Sequence, residues 1–323
     1  MNTILAPLRE LGEYEDIQKQ LNTQQGKVSI SGCVDSQKLH MIYGFTEKYD
    51  VKLIVTYSDM KAKELLDDCK LYCRESYYFP AKDLIFYQAD IHSNQLIKER
   101  VAVLRKLLEG EPITIVTTFS ALMAHQLPLS VCQNVIEIEE GGIAEEAAIA
   151  RQLVKMGYEK NYQVEAPGQF SVRGGIVDIF DLTRENPVRI ELWGDEVESI
   201  RSFDIESQRS IEKLTEVSIY PATELILSKK ALEDGLARME KDCKKSAAFF
   251  REETKPEEAH RLEQAVAELK EQVTQFQSFV NLESYIGYFY EETQSLVDFV
   301  ADRKLCICLD EPARIEEHAN AVE

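Results

Sequence analysis

The order of hydrophobic and polar residues changes in character along the chain. In the first third, apolar runs such as VKLIVTY (51–57) and ITIVTT (113–118) alternate with segments whose hydrophobic residues recur at helical spacing. The spacing predicts helices at about 59–71 and 94–108, and a short strand at 28–30. Buried, β-branched strands separated by helices are typical of a parallel sheet. Residues 1–126 are therefore predicted to form the first part of a RecA-like or Rossmann-like domain.

The pattern then changes to short alternating runs. After a predicted helix at 143–157, turn signals such as Pro-Gly at 167–168, Gly-Gly at 174–175 and Gly-Asp at 194–195 separate the runs. This pattern predicts an antiparallel sheet, which does not belong inside a parallel one. Residues 127–212 are therefore predicted to be an inserted α+β domain.

After Pro221 the chain becomes helical and charged, with long helices predicted at about 228–249 and 256–280. The run LCICLDEP (305–312) restores an apolar strand that ends in two acids. It is expected to complete the sheet begun near residue 28, which makes residues 213–323 the second part of the first domain. The predicted fold class is α/β: a degenerate RecA-like parallel-sheet domain split in sequence by the inserted antiparallel-sheet domain. The final residues read as the opening of a further helix, so we expect the sequence to be a fragment of a longer protein.

Alternation within VRIELWG assigns the two faces of one strand of the inserted domain. The period of two predicts that one face lies in the core: Val188, Ile190 and Leu192. The other face would display Arg189, Glu191 and the only tryptophan of the chain, Trp193. Exposed tryptophan and arginine together are common at the centre of protein interfaces. The alternative is that the tryptophan packs against a neighbouring helix and the arginines form surface ion pairs.

Two neighbouring segments extend this surface. In QFSVRGG the alternation points Phe170 and Val172 inward, and Ser171 and Arg173 outward. The segment VESIRSF (197–203) does not alternate cleanly, so a bulge or an edge is expected there and the face that carries Arg201 stays open.

Composition excludes several classes of protein. The chain has 323 residues, of which 44% are hydrophobic and 29% charged, and it lacks an apolar run of the length that a membrane helix needs. Its first residues do not resemble a secretory signal. Seven cysteines without a C-x-x-C motif fit reduced thiols, and the five histidines show no metal-ligand spacing. We therefore expect a cytoplasmic protein without a metal site or a membrane partner.

The formal charge of −20 disfavours a nucleic-acid binder, since that affinity comes mainly from basic side chains that meet phosphates. Residues 1–126 are nearly neutral, with 15 basic and 17 acidic residues. Residues 127–212 have 8 basic and 17 acidic residues, and residues 213–323 have 14 and 23. A partner that approaches the acidic parts is expected to be protein rather than DNA.

The stretch SISGCVDSQKLH (29–40) partly matches a phosphate-binding loop. That loop has the pattern G-x-x-x-x-G-K-[ST], in which the glycines let backbone N–H groups approach phosphate and the hydroxyl binds magnesium. Gly32 and Lys38 are in register, but Gln37 replaces the second glycine and Leu39 replaces the hydroxyl residue. The stretch is interpreted as the relic of an ATP site, with a working site and coincidence as the alternatives.

Asp310 and Glu311 follow the last apolar strand, where an ATPase places the acids that bind magnesium and activate water. Together with Gly32 and Lys38 they suggest that both ends of an ATP site were once present. Spacing shows no Ser-His-Asp or Cys-His arrangement, so no catalytic residue is assigned.

The segment APGQFSVRGGIVDIFDLTRENPVRIELWGDEVESIRSFDIESQRS (166–210) closely resembles a segment shared by the excision-repair protein UvrB and the transcription-repair coupling factor (Mfd) family. YYFPAKDLIFYQ (77–88) and IKERVAVLRKLL (97–108) resemble flanking parts of the same family. The altered phosphate loop and LDEPARI (309–315) are similar to the N-terminal, UvrB-like module of the coupling factors, in which that loop is degenerate. The tyrosine-rich hairpin with which UvrB probes DNA has no counterpart that we find.

The resemblance implies that the inserted domain docks UvrA. Arg173 matches the arginine of the family's R-G turn, Arg189 matches the arginine of its R-[IL]-[ED] strand, and Trp193 stands at an aromatic position. The implied docking residues are Arg173, Arg189, Glu191, Trp193 and Arg201. Because the departure from the family at Trp193 keeps an aromatic ring, the contact is expected to survive.

The resemblance also implies a role and partners. The module is expected to be non-catalytic and to recruit UvrA to a stalled RNA polymerase, linking it to nucleotide excision repair. ATP and magnesium, RNA polymerase and DNA are expected to bind only to translocase and polymerase-binding domains outside this sequence, and the family's own C-terminal region to mask the docking surface. The first alternative is a UvrB-like ATPase that verifies DNA damage, and the second is a RecA-like domain that binds DNA directly.

Overall fold

The computed structural model describes residues 5–23, 26–81, 90–128, 134–223, 227, 229–275 and 285–322. The chain divides into two units. Unit 1 comprises residues 1–81, 106–124 and 296–323, and unit 2 comprises residues 82–105 and 125–295. The division falls within helix α4 (Asp90–Glu109). Unit 1 is thus assembled from three separate stretches of sequence.

Unit 1 is built on a four-stranded parallel sheet. Its strands are β1 (Val51–Thr56), β2 (Ser76–Phe79), β3 (Ile113–Thr118) and β12 (Leu305–Leu309). They lie in the order β12–β1–β3–β2, and all three pairings are parallel. β3 is buried along its whole length, because its apolar and threonine side chains are covered on both faces. The predicted parallel sheet, with a late strand returning to it, is confirmed.

The predicted strand at 28–30 is wrong. Residues 26–31 have no strand structure, and Ile30 is exposed. The segment offers only Val28 and Ile30 as apolar residues, with serines beside them, so it buries too little apolar surface to hold a place in a buried sheet. β12 is consequently an edge strand of the described sheet.

Six helices connect or flank these strands. They are α1 (Tyr14–Leu21), α2 (Asp35–Phe45), α3 (Asp59–Cys69), α4, α5 (Phe119–Met123) and α10 (Pro312–Val322). Ser58 begins α3 by accepting a hydrogen bond from the Lys61 N–H, and Thr118 begins α5 in the same way. Helices α2 and α3 pack on one face of the sheet in a cluster that includes Leu39 and Ile54.

Unit 2 contains the predicted antiparallel sheet. Its six strands are β5 (Glu159–Lys160), β6 (Gln169–Arg173), β7 (Ile176–Ile179), β8 (Val188–Trp193), β9 (Glu196–Phe203) and β10 (Ser210–Leu214). They lie in sequence order, and every pairing is antiparallel except that of β5 with β6. Strands β4 (Ile136–Glu139) and β11 (Glu216–Ile219) form a second antiparallel pair. The inner face of the large sheet, both strands of the pair and helix α6 (Glu146–Lys155) share one apolar core.

The predicted domain boundary at residue 212 falls inside β10, whose residues pair with β9. The turn between β6 and β7 is made by Gly174 and Gly175, which have φ of 56° and 88°. A side chain at Gly175 would also meet the Leu192 carbonyl oxygen at 2.9 Å, so the turn requires glycine there.

The predicted pair of long charged helices is also confirmed in unit 2. They are α7 (Lys229–Glu252) and α8 (Pro256–Gln275), and a short helix, α9 (Ile286–Phe289), packs against α7. Residues 276–280 of the second prediction, and residues 82–88 of YYFPAKDLIFYQ, lie outside the described residues. Among the helices that are described, none has the length and apolar character needed to cross a membrane.

Candidate functional site

The outer face of β8 carries the side chains that the alternation predicted. Val188, Ile190 and Leu192 are buried in the core of unit 2, which confirms the inward face. On the other face, Arg189 and Glu191 are half-buried and Trp193 is 79% exposed. The alternative in which Trp193 packs against a helix is therefore wrong, because a packed indole would be covered.

Asp178 of β7 binds two arginines of this surface, Arg173 and Arg189. Its carboxylate is 1% exposed and accepts hydrogen bonds from Arg189 Nε at 2.7 Å and Arg189 Nη2 at 2.9 Å. Arg173 Nη2 donates to the same carboxylate at 2.8 Å. The Arg189 guanidinium also lies 4.4 Å from the ring centroid of Phe203 and donates to Gln208 Oε1 at 3.0 Å. The hydrogen bonds to Asp178 raise the pKa of Arg189 above its ordinary value, so this guanidinium is fixed in both charge and orientation.

A second ion pair continues the surface towards β9. Arg201 Nη2 donates to Glu191 Oε2 at 2.9 Å, and the Ser199 hydroxyl donates to the same oxygen at 2.7 Å. Arg201 lies opposite Arg189 in the ladder, which places it on the outer face. The register of β8 against β9 shifts between Glu191 and Leu192, which confirms the predicted bulge. The alternative of surface ion pairs thus holds for the arginines, although it does not account for the exposed tryptophan.

Ser171 lies on the outer face of the sheet, as the alternation predicted, but it is buried there. Its side chain is fully buried, and its hydroxyl has no hydrogen-bond partner in the part of the chain that the structure describes. Ser171 lies opposite Asp178, at a place where the outer face is itself covered. Val172, predicted inward, is half-buried and packs against the core.

Sequence reasoning missed Asp178, Phe203 and Gln208. The alternation of IVDI, with Val177 and Ile179 in the core, was the signal that could have placed Asp178 on the outer face beside the arginines. Phe203 and Gln208 carry no such signal, because their contacts with Arg189 depend on how the chain folds back after β9.

In unit 1 the structure brings together the two ends of the altered phosphate site. Lys38 Nζ donates to Asp310 Oδ1 at 2.9 Å and to Glu311 Oε1 at 2.7 Å, and lies 3.2 Å from Asp35 Oδ1. The Thr56 hydroxyl donates to the second oxygen of Asp310 at 3.0 Å. Burial disfavours the charged ammonium, but hydrogen bonds to the three carboxylates outweigh it and raise the pKa of Lys38 above its ordinary value. The lysine is thus a permanent cation inside an acidic cluster, which we call the Lys38 cluster (Lys38, Asp35, Asp310 and Glu311).

The loop before this lysine does not have the form of a phosphate cradle. Gly32 keeps the positive φ of such a loop, at 80°. The Gln37 side-chain oxygen, however, accepts a hydrogen bond from the Val34 N–H at 3.3 Å, so it engages a backbone donor at the start of α2. Leu39 is 1% exposed and packs in the core between α2 and the sheet. This position therefore contributes to packing and supplies no oxygen to a metal.

The structure gives no independent sign of a resident metal. In the ranges that it describes, no three histidine, cysteine, aspartate or glutamate side chains converge as metal ligands.

Comparisons with known protein sequences identify one family model and several relatives. The sequence model of the UvrB interaction domain family matches residues 136–225, which contain β4 to β11 and the whole outer face described above. The transcription-repair-coupling factor of Bacillus subtilis (strain 168) is 37% identical over 323 residues, covering 98% of this chain and 27% of the relative. That of Staphylococcus aureus (strain MRSA252) is 29% identical over 331 residues, with the same two coverages. That of Staphylococcus epidermidis (strain ATCC 12228 / FDA PCI 1200) is 29% identical over 300 residues, covering 91% of this chain and 25% of the relative. The chain thus spans about a quarter of the length of these relatives.

Proposed function

This chain is related along its length to the N-terminal quarter of bacterial transcription-repair-coupling factors and carries a UvrB interaction domain, and from this premise we propose that it is a non-catalytic module that recruits UvrA. In this proposal the module links a stalled RNA polymerase to nucleotide excision repair. The docking face consists of the outer-face side chains Arg173, Arg189, Glu191, Trp193 and Arg201.

The observation that carries the proposal is the exposure of Trp193 on the same strand as the ordered Arg189. A tryptophan that is 79% exposed has a large apolar surface to bury against a partner. It lies within the residues that match the UvrB interaction domain. Tryptophan and arginine dominate the binding energy of many protein interfaces, so this combination favours docking over a purely structural role.

The order of the guanidinium groups supports the same proposal. Because Asp178 and Phe203 hold Arg189 in place, a partner would not have to pay the entropy of ordering that side chain. Arg173 makes one hydrogen bond to Asp178, which leaves other N–H groups of its fork for a carboxylate of the partner. We therefore expect the facing surface of UvrA to offer carboxylates around an apolar patch.

The proposed absence of catalysis rests on the loop in unit 1. A nucleotide would have to displace the Gln37 oxygen from the Val34 N–H and compete with three carboxylates for Lys38. Its magnesium would lack the hydroxyl ligand that Leu39 has replaced. A titration with labelled ATP and magnesium is expected to stay flat. Saturable nucleotide binding that Lys38→Met abolishes would instead favour the damage-verifying ATPase.

The other partners follow from the relatives and belong to the proposal as well. We expect RNA polymerase, DNA and ATP to bind parts of the longer relatives that this sequence does not contain. We also expect a C-terminal region of such a protein to cover the docking face until it is released. Tested as these 323 residues alone, the chain should then bind UvrA without activation.

The test is calorimetric titration of the chain against purified UvrA, with Trp193→Ala as the variant. Phe249→Ala is the matched control, because Phe249 is an exposed aromatic residue on α7, outside the matched domain. We expect Trp193→Ala to weaken binding at least tenfold, about 1.4 kcal/mol, and the control to leave it unchanged. If both variants bind UvrA with equal affinity, Trp193 does not belong to the docking site. If the unaltered chain does not bind UvrA, the proposal is overturned.

A further inference from the structure

Ile143 lies in the loop between β4 and α6, outside the docking residues named above, and is 82% exposed. The loop runs antiparallel to the start of β9, where Ile143 and Glu196 form a bridge. Two backbone hydrogen bonds flank this bridge, from the Ala144 N–H to the Asp195 carbonyl oxygen at 2.7 Å and from the Val197 N–H to the Gly142 carbonyl oxygen at 2.9 Å. A pair flanked in this way is the close kind of antiparallel pair, with Cα atoms about 4.5 Å apart.

Trp193 of β8 lies opposite the same Glu196, on the other side of β9. Residues that are paired across neighbouring strands have their side chains on the same face of a sheet. Their chain neighbours pack in or against the apolar core of unit 2: Ala144, Leu192 and Val197. Ile143, Glu196 and Trp193 therefore form one row on the outer face, which we call the Ile143 row (Ile143, Glu196 and Trp193).

The two apolar side chains of the Ile143 row form a patch. Paired Cβ atoms on neighbouring strands are about 5 Å apart, so those of Ile143 and Trp193 are about 10 Å apart across Glu196. Single exposed apolar residues are common on protein surfaces, whereas two that are held in one row offer a partner a continuous surface to cover. Because backbone pairing fixes both segments, the patch is ordered before a partner binds.

A carboxylate lies between the two apolar side chains. Glu196 is exposed, and its side chain has no hydrogen-bond or ion-pair partner in the part of the chain that the structure describes. A partner that covers both Ile143 and Trp193 also covers this carboxylate, and covering it without a cation is strongly unfavourable. The Ile143 row therefore fits a surface on which a lysine or an arginine lies between apolar groups.

We propose that the Ile143 row is a second recognition element of the docking face, in which Ile143 and Trp193 contact apolar groups of UvrA and Glu196 pairs with a basic side chain between them. This inference rests on the proposed function, which supplies the partner. The row is continuous with the docking face through Trp193, and Ile143 lies within the residues that match the UvrB interaction domain. Its charge is opposite to that of Arg173 and Arg189, so the two parts of the face together fix the orientation in which UvrA binds.

The experiment is calorimetric titration of UvrA with Ile143→Ala, beside Trp193→Ala and the unaltered chain. Val154→Ala is the matched control, because Val154 is a 58% exposed apolar residue of the same matched domain but lies on α6, which packs against the inner face of the sheet. We expect Ile143→Ala to weaken binding at least tenfold and Val154→Ala to leave it unchanged. Both changes shorten exposed side chains, so equal urea unfolding midpoints show that the fold is intact.

Glu196→Gln tests the charge of the Ile143 row. It should weaken binding about tenfold at low ionic strength, and the difference should shrink as salt is added, because salt screens the pair with the basic side chain of UvrA. Unchanged or tighter binding by Glu196→Gln would overturn the proposed ion pair.

The same titrations separate this inference from the proposed function. If Trp193→Ala weakens binding but Ile143→Ala binds as tightly as the unaltered chain, the Ile143 row is overturned and the proposed function stands. If Val154→Ala weakens binding as much as Ile143→Ala, the row is overturned as well. If the unaltered chain does not bind UvrA, the proposed function itself is overturned, and the row with it.

Discussion

Asp178 holds Arg189 through two hydrogen bonds, from Nε to Oδ1 at 2.7 Å and from Nη2 to Oδ2 at 2.9 Å, across neighbouring strands of an antiparallel sheet. The carboxylate is buried and also accepts a bond from Arg173. One buried acid therefore orders two of the three arginines of the proposed docking face, Arg173 and Arg189. The same geometry divides the surface into a fixed part around Asp178 and an accessible part at Trp193.

Asp178→Asn should lower the free energy of unfolding by about 2–3 kcal/mol, because two guanidinium groups then lose the charged partner that compensates their partial burial. The measurement is urea unfolding followed by circular dichroism. The control is Glu191→Gln, which breaks the more exposed pair with Arg201 and should cost less than about 1 kcal/mol. Equal effects of the two changes would contradict a special role for Asp178.

Leu39→Ala should destabilise the chain by about 2–5 kcal/mol, since it removes a side chain from the packed core between α2 and the sheet. Val34, at the start of the same helix, is 60% exposed, so Val34→Ala should change the free energy of unfolding by less than about 0.5 kcal/mol. Urea unfolding compares the two variants. A small effect of Leu39→Ala on the free energy of unfolding would mean that the core tolerates a hydroxyl residue at this position.

The alternation of hydrophobic residues predicted the faces of β8 correctly, and the buried β-branched runs predicted the parallel sheet. These predictions succeed because burial on one or both faces of a strand is written into its local sequence. The prediction of a strand at 28–30 was wrong because two apolar residues do not determine whether a segment joins a sheet. The burial of Ser171 follows from the neighbouring strand and its register, which a single segment does not encode.

Lys38→Met should reduce stability at pH 7 and should flatten its dependence on acid. Hydrogen bonds from Lys38 lower the pKa of Glu311 and Asp35 below their ordinary values of 4.5 and 3.8. Carboxylates with a lowered folded pKa stabilise the fold above those ordinary values, and the stabilisation is lost as the pH falls through the folded pKa.

The difference between the unaltered chain and Lys38→Met should therefore be constant above about pH 5.5 and should shrink below about pH 4.5. Urea unfolding midpoints at several pH values measure it. Lys70→Met serves as the control, because Lys70 is exposed and pairs only with exposed Asp67 at 3.6 Å among the ion pairs described for it. A difference that widens on acidification would contradict the ionic origin of the effect.

Gly235→Ala should destabilise unit 2 although alanine is the better helix former. A side chain at Gly235 of α7 would lie 2.2 Å from the ring of Phe289, which is buried against this helix. Relieving that overlap should cost about 1–3 kcal/mol. Gly287 of α9 has open space around it, so Gly287→Ala should be neutral or stabilising by up to about 1 kcal/mol. Thermal unfolding distinguishes the pair, and a stabilised Gly235→Ala variant would show that the two helices are not in close contact.

Arg173→Ala and Arg189→Ala should differ in how they change the affinity for UvrA and the free energy of unfolding. Arg189 is 18% exposed and is bonded to both Asp178 and Gln208, so its loss should lower the free energy of unfolding by about 2 kcal/mol as well as weaken UvrA binding. Arg173 is 36% exposed with a single bond to Asp178, so its loss should cost less than about 1 kcal/mol of stability. If its remaining N–H groups meet a carboxylate of UvrA, the same change should still weaken binding about tenfold, or 1.4 kcal/mol. Calorimetric titration and urea unfolding of the same samples measure the two effects separately. An Arg173→Ala variant that binds UvrA as tightly as the unaltered chain would restrict the docking face to the strand that carries Arg189 and Trp193.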